Sequence, residues 1–268
     1  MFGRLRRSAP TLKTLAVIPA RLGATRLPEK PLRLLGGRPL VVRVWERVCT
    51  LGLADRVVIA TDSDRVAAVA RAAGAEVVLT DGGHPSGTDR VAEVAARAEF
   101  ADRDAVLNVQ GDEPFVAAEA ARGALRLVTQ GRFTLGTASA RAGSDILDSP
   151  NVVKVVAADD GRAMYFSRAP IPYLREPEDA ALLGPRVRQH LGVYAYTREA
   201  LARWVALPPH PLERIERLEQ LRPLAAGIAM GVAEVDEAPR PGIDTEEDLA
   251  RANAAWSAFT DTLGVGPS

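Results

Sequence analysis

Residues 19–31 read Pro-Ala-Arg-Leu-Gly-Ala-Thr-Arg-Leu-Pro-Glu-Lys-Pro, which gathers Arg21, Arg26 and Lys30 in one loop. A triphosphate needs such a set, because Arg forks onto phosphate oxygens and Lys adds a compact charge. Gly23 lets backbone approach a ligand, and Pro28 and Pro31 limit the loop's freedom. Neither a Walker pattern nor GxGxxG is present, so P-loop NTPases and dinucleotide dehydrogenases fit poorly. Taken alone, a loop of this composition is more often a solvated basic loop. Its place after an apolar β-branched run tips the reading toward anion binding.

Two acids could complete the chemistry. Asp112 lies in Val109-Gln110-Gly111-Asp112-Glu113-Pro114, and Asp244 in Pro241-Gly242-Ile243-Asp244-Thr245. Singly, each reads as a turn or helix-capping residue. As a pair they suit Mg²⁺, which takes one or two carboxylates and fills its shell with phosphate oxygens and water. Cations and paired Asp residues are the minimal parts of nucleotidyl transfer. His84, His190 and His210 lack zinc-ligand spacing, and Cys49, in an amphipathic run, reads as a buried structural thiol rather than a nucleophile.

These loops need a frame. Thr14–Ile18, Arg56–Ala60, Glu76–Leu79 and Ala105–Val109 read as strands, separated by helical patterns over Pro39–Leu51, Ser63–Ala73 and Thr88–Phe100. That alternation predicts an α/β fold with a mainly parallel sheet covered on both faces. Ligands of such sheets bind beyond the strands' carboxyl ends, which directs attention to the loops after residues 18, 79 and 109. The second half is less regular: strands are expected at Thr134–Ala140, Val152–Ala158 and Gln189–Tyr196, and helices at Leu212–Leu221 and Thr245–Ala254.

The chain has 268 residues, 47% hydrophobic and 25% charged, with 34 cations balancing 34 acids. A balanced charge supplies no general field for nucleic acid, so any anion site is local. No apolar run is long enough for a membrane span, and no apolar stretch follows the basic Met1–Arg7. Residues 1–12 read as a disordered N-terminal extension, 13–260 as a single domain and 261–268 as a tail. A cytoplasmic location is expected.

The blocks Pro19-Ala20-Arg21 and Thr25-Arg26-Leu27-Pro28-x-Lys30-Pro31-Leu32 resemble the opening signature of 3-deoxy-manno-octulosonate (Kdo) cytidylyltransferases. The likeness continues in Ala60-Thr61-Asp62, Ser86-Gly87-Thr88-Asp89-Arg90 and Asn108 to Pro114. It resumes in Val152 to Val156, Tyr165 to Pro172, His190 to Tyr194, Pro211-Leu212-Glu213 to Arg222, and Gly242 to Thr245. It runs in order from about residue 14 to 252.

The resemblance implies a nucleotide-diphospho-sugar transferase type of α/β fold, Rossmann-like. A smaller dimerisation region would be inserted at about 150–200, with Met164 to Tyr173 as candidate interface. Partners would be CTP, Kdo and a second copy in a homodimer, with no nucleic acid and no membrane insertion. Arg21 and Lys30 would bind CTP phosphates, helped by Arg26, and Pro19, Ala20, Ser86, Gly87 and Thr88 would surround the cytidine. Asp112 and Asp244 would carry magnesium. Lys30, Arg21 and Asp112 would be the catalytic set. Arg168 would face the sugar carboxylate, and Gln110, His190, Tyr194, Glu213 and Glu216 its hydroxyls. The product would serve lipopolysaccharide or other cell-surface sugar synthesis.

Residue patterns leave alternatives beside several of these roles. Glu213, Glu216 and Gln220 would share one helical face, whether for sugar or for solvent. Arg168, beside Met164-Tyr165-Phe166, suits structural pairing or carboxylate reading equally. His190 and Tyr194 would share a strand face, where core packing is the usual reading. The chain departs from the family pattern at Ala24 (for Ser), Pro85 (for Gln) and Asp89 (for Glu). Transfer to another acidic sugar, of the 8-amino-Kdo or sialic acid type, is the first alternative function. A catalytically silent CTP-binding module is the second.

Overall fold

The computed structural model describes residues 12–23, 26–236 and 240–263. Ala24, residues 1–11 of the expected extension and 264–268 of the expected tail lie outside them.

The α/β expectation holds. A nine-stranded sheet is built from β1 (Thr14–Ala20), β2 (Arg56–Thr61), β3 (Glu76–Leu79), β4 (Ala105–Val109), β5 (Leu135–Arg141), β6 (Lys154–Ala157), β7 (Ala163–Ser167), β8 (Arg188–Thr197) and β9 (Met230–Val235), in the order β9-β5-β8-β4-β1-β2-β3. Pairs β1–β2, β1–β4, β2–β3 and β9–β5 are parallel; β8 runs antiparallel between β4 and β5. The β6–β7 hairpin branches off the interior strand β8, antiparallel to its start, through Gln189 opposite Lys154.

All seven residues of β1 are buried, as a strand covered on both faces requires. Ala16 and Ile18 face one apolar cluster, with α1 (Leu40–Leu51), α2 (Asp64–Ala72) and α4 (Ala118–Thr129). Leu15 and Val17 face the other, with α3 (Gly87–Ala96) and α5 (Arg198–Ala206). Alternate side chains thus lock the sheet between two helical layers.

Several boundaries differ from the sequence reading. The helix expected over Thr88–Phe100 stops at Ala96, where Arg97 turns extended before a 3₁₀ turn over Ala98–Phe100. The helix expected over Leu212–Leu221 is two pieces, α6 (Pro211–Glu216) and α7 (Leu221–Ala225), because Arg217 adopts a left-handed conformation at φ 56°. Glu213, Glu216 and Gln220 therefore share no helical face. Strands β7 and β9 and helices α4 and α5 were not read from the sequence at all. After α8 (Glu246–Ala254), α9 runs from Trp256 to Leu263, so helix covers the start of the expected tail. Cys49, expected to be buried, is exposed near the end of α1, whose buried face is carried by Leu40 to Val44 and Val48.

Candidate active site

The loops flagged from sequence, after β1, β3 and β4, converge on one cleft at the carboxyl side of the sheet. Gly111 follows β4 with no room for a side chain: a Cβ there would lie 2.6 Å from the Pro19 carbonyl oxygen. This close approach sets the loop after β4 against the end of β1. The next residue then reaches across the chain, since Ile243 donates its N–H to the Asp112 carbonyl at 3.0 Å. Asp244 is thereby held beside Asp112. Its own loop is fixed by the α8 capping box, in which the Thr245 hydroxyl and the Asp248 carboxylate cap each other's backbone.

Lys30 binds both acids. Its Nζ lies 2.6 Å from Asp112 Oδ2 and 2.8 Å from Asp244 Oδ1, while Arg26 Nη2 lies 3.0 Å from Asp244 Oδ2. Burial alone would lower the Lys30 pKa, but the two carboxylates outweigh it and raise the pKa above its usual value. Glu113 is pushed up to about 8, first by burial and then by the charges of Asp112 and Asp244. Two carboxylates that converge on one cation form a donor set that fits Mg²⁺ completed by phosphate oxygens and water.

Two cavities adjoin at this cluster. A cleft of about 320 Å³ is lined by Pro19, Ala20, Arg21, Ser86, Gly87 and Lys30, among others. The Ser86 hydroxyl caps α3, so the helix presents its positive end to this cleft. Asp89, in the place of Glu, accepts from Ser86 Oγ at 2.6 Å, so the shorter acid still serves the cap. Pro85 is exposed. The second cavity, about 1,100 Å³, includes Asn151, Arg168, His190 and Arg217 in its wall. Arg26, Gln110, Asp112 and Asp244 line both.

Arg168 is anchored by carbonyls: Nε donates to Glu216 O at 2.8 Å and Nη1 to Pro150 O at 2.9 Å. Among the described residues its guanidinium meets no carboxylate, which leaves a positive charge at the second cavity's wall. His190 accepts or donates at Thr137 Oγ1 (2.9 Å) and packs edge-on to Phe166. Burial drives its pKa down to about 3, so it is neutral.

Four predicted contacts line neither cavity. Thr88 is buried and bonds Glu219. Tyr194 packs behind His190 in a cluster with Tyr196 and Trp204. Glu213 pairs through both oxygens with Arg222, and Glu216 accepts from Ser167 Oγ and the Arg168 N–H. Glu216 thus supports Arg168 from behind. His84, Arg90 and Glu113 line the cavities although the sequence reading gave them no site role; Arg90 and Glu113 fall inside the Ser86–Arg90 and Val109–Pro114 blocks, and His84 just before the first.

Comparison with known proteins decides the family. The cytidylyltransferase family profile matches residues 15–231. A 3-deoxy-manno-octulosonate cytidylyltransferase of Gemmatimonas aurantiaca is 62% identical over 248 residues, covering 92% of this chain and 96% of the relative. The chain belongs to the 3-deoxy-manno-octulosonate cytidylyltransferase family. The counterpart from Methylococcus capsulatus is 47% identical, over 91% of this chain and 97% of that one. A solved CMP:2-keto-3-deoxy-manno-octonic acid synthetase, complexed with CTP, superposes with a TM-score of 0.84 at 37% identity, covering 92% of this chain and 99% of that one. The inositol-1-phosphate CTP transferase of T. maritima, 14% identical with a TM-score of 0.65 over 94% of this chain and 97% of its own, shares the fold.

Proposed function

We propose that the protein transfers CMP from CTP to Kdo, giving CMP-Kdo and pyrophosphate. The observation that carries this is the shared wall of Arg26, Gln110, Asp112 and Asp244, at which a cation-lined cleft meets a cavity presenting Arg168. CTP occupies the first cleft, with its base toward Ser86 and Gly87 and its phosphates toward Arg21, Arg26 and Lys30. The sugar acid occupies the second, with its carboxylate at Arg168.

The sugar's anomeric 2-hydroxyl attacks the α-phosphorus. The new P–O bond forms as the α–β bridging bond breaks, pyrophosphate leaves and the hydroxyl proton passes to solvent. Arg21 and Lys30 neutralise charge on the phosphates, and positioning supplies most of the acceleration. Asp112 and Asp244 would hold Mg²⁺, which when bound supplies further neutralisation of phosphate charge.

Pyrophosphate release tests the reaction, measured with CTP, ATP, GTP or UTP against a panel of sugar acids. Release with CTP and Kdo supports it. Release only with another sugar acid changes the substrate, and tight CTP binding without release returns the silent module. We place the enzyme in the cytoplasm, where CTP is made, serving cell-surface sugar synthesis. A homodimer is proposed through the region of the exposed Met164, Tyr173 and Leu182. A monomer mass in light scattering would overturn that assembly.

A further inference from the structure

Lys154 opens β6 and is fully buried. Lysines are seldom fully buried without a carboxylate partner. Among the described residues, this ammonium bonds backbone carbonyls instead. Nζ donates to Ser149 O at 2.8 Å, to Val152 O at 2.9 Å and to Arg168 O at 2.6 Å. An ammonium has three N–H donors and no acceptor, so these carbonyls use it completely. Burial lowers its pKa from the usual lysine value. A neutral amine, however, has only two N–H groups and would turn its lone pair on one of the oxygens.

The acceptors all bear on Arg168. Ser149 and Val152 are the ends of one turn, closed by the Val152 N–H on Ser149 O at 3.3 Å. Inside that turn, Pro150 O receives Arg168 Nη1 at 2.9 Å, and Asn151 lines the second cavity. The remaining acceptor is the carbonyl of Arg168 itself. Lys154 stands opposite Ser167 in the β6–β7 ladder, one residue from Arg168, which puts that carbonyl within its reach. The lysine therefore holds Arg168 by its backbone and also holds the turn that anchors one arm of its guanidinium. The other anchor is Glu216 O, 2.8 Å from Nε. Burying an ammonium is costly, and an apolar side chain at this position would avoid that cost while leaving the carbonyls and Arg168 untied.

We propose that Lys154 is a positioning residue: its ammonium ties the Ser149–Val152 turn to the Arg168 backbone and so fixes the Arg168 guanidinium for the carboxylate of the sugar acid. This rests on the CMP transfer and the role of Arg168 proposed above. Lys154 lines neither cavity and acts through Arg168.

A double-mutant cycle tests the role, with the KM for Kdo at saturating CTP measured on wild type, Lys154→Met, Arg168→Ala and the double variant. Methionine fills much of the same space and removes the donors. Lys154→Met should raise this KM by about tenfold, the scale of one misplaced charge-assisted hydrogen bond, and leave the Kd of CTP within about twofold. In the Arg168→Ala background the same change should matter by less than about twofold. Equal losses in both backgrounds, or a matching loss of CTP affinity, would overturn the proposal, because a merely structural lysine harms both alike. Lys154→Gln keeps two N–H donors on a shorter chain and covers poor folding of the methionine variant. In the same cycle it should raise the KM by about threefold with Arg168 present and leave it unchanged without. Equal effects there would likewise overturn the proposal. If Arg168→Ala by itself leaves the KM for Kdo unchanged, the assignment of Arg168 to the carboxylate falls, and the role of Lys154 with it. A wild type that binds CTP but releases no pyrophosphate would overturn the underlying reaction instead, and this role with it.

Discussion

Replacing Lys30 with Met removes the cation that, among the described residues, bonds both Asp112 and Asp244. The two carboxylate oxygens that flank its Nζ would then face each other. Like charges ~5 Å apart in a medium of effective dielectric about 20 repel by about 3 kcal/mol. The side chains of Asp112 and Asp244 are 31% and 42% exposed, so solvent screening reduces the cost. A loss of about 1–2 kcal/mol in unfolding free energy is expected at low salt. Because the Lys30 pKa is raised, its contribution is complete below the unfolded value of about 10.4 and fades as pH climbs through the folded one. Denaturant melts at neutral pH therefore read the whole effect. Added Mg²⁺ should restore most of the lost stability, since a divalent cation can sit between the acids. Turnover should still fall by a factor on the order of 10²–10³, the cost of removing a phosphate-facing charge. A Lys30→Met protein as stable as wild type at low salt, and indifferent to Mg²⁺, would refute this account of the cluster.

Three further outcomes follow from the geometry. Arg168→Ala should raise the KM for the sugar acid by about tenfold or more while leaving the Kd of CTP, by calorimetry, nearly unchanged; a matching loss of CTP affinity would contradict two separate cavities. His190 is held neutral with a pKa of about 3, so protonation of the unfolded chain should erode stability as pH falls from about 6.5 toward 3. His190→Gln should flatten that slope in thermal melts at pH 7 and 5, and an unchanged slope would contradict it. Gly111→Ala forces a methyl onto the Pro19 carbonyl and should cost about 1–3 kcal/mol in denaturant melts as well as turnover; a neutral effect would show that the loop can shift freely.

What was legible in the sequence was what is local. Arg21, Arg26 and Lys30 occupy one loop, and β1 to β4 announce themselves by Val- and Ile-rich runs without polar alternation. Asp112 and Asp244 could be paired only by their chemistry and the family likeness, because the contact from Ile243 to the Asp112 carbonyl spans about half of the chain. The Glu213–Gln220 segment misled, since nothing in Glu-Arg-Ile-Glu-Arg warns that Arg217 turns left-handed and ends the helix. Glu213 was spent on Arg222 and Glu216 on Arg168, pairings that depend on tertiary contact. Strand β9 carries Gly231 at its second position, which weakens a period-two pattern, yet packing against Phe133 requires that glycine.

The most direct measurement is ³¹P NMR of CTP incubated with Kdo, Mg²⁺ and the protein. The account predicts that the triphosphate signals disappear while pyrophosphate and a phosphodiester resonance grow in equal amounts, and that Asp112→Ala abolishes both. Persistence of intact CTP, or pyrophosphate accompanied by free CMP alone, would contradict transfer to the sugar acid.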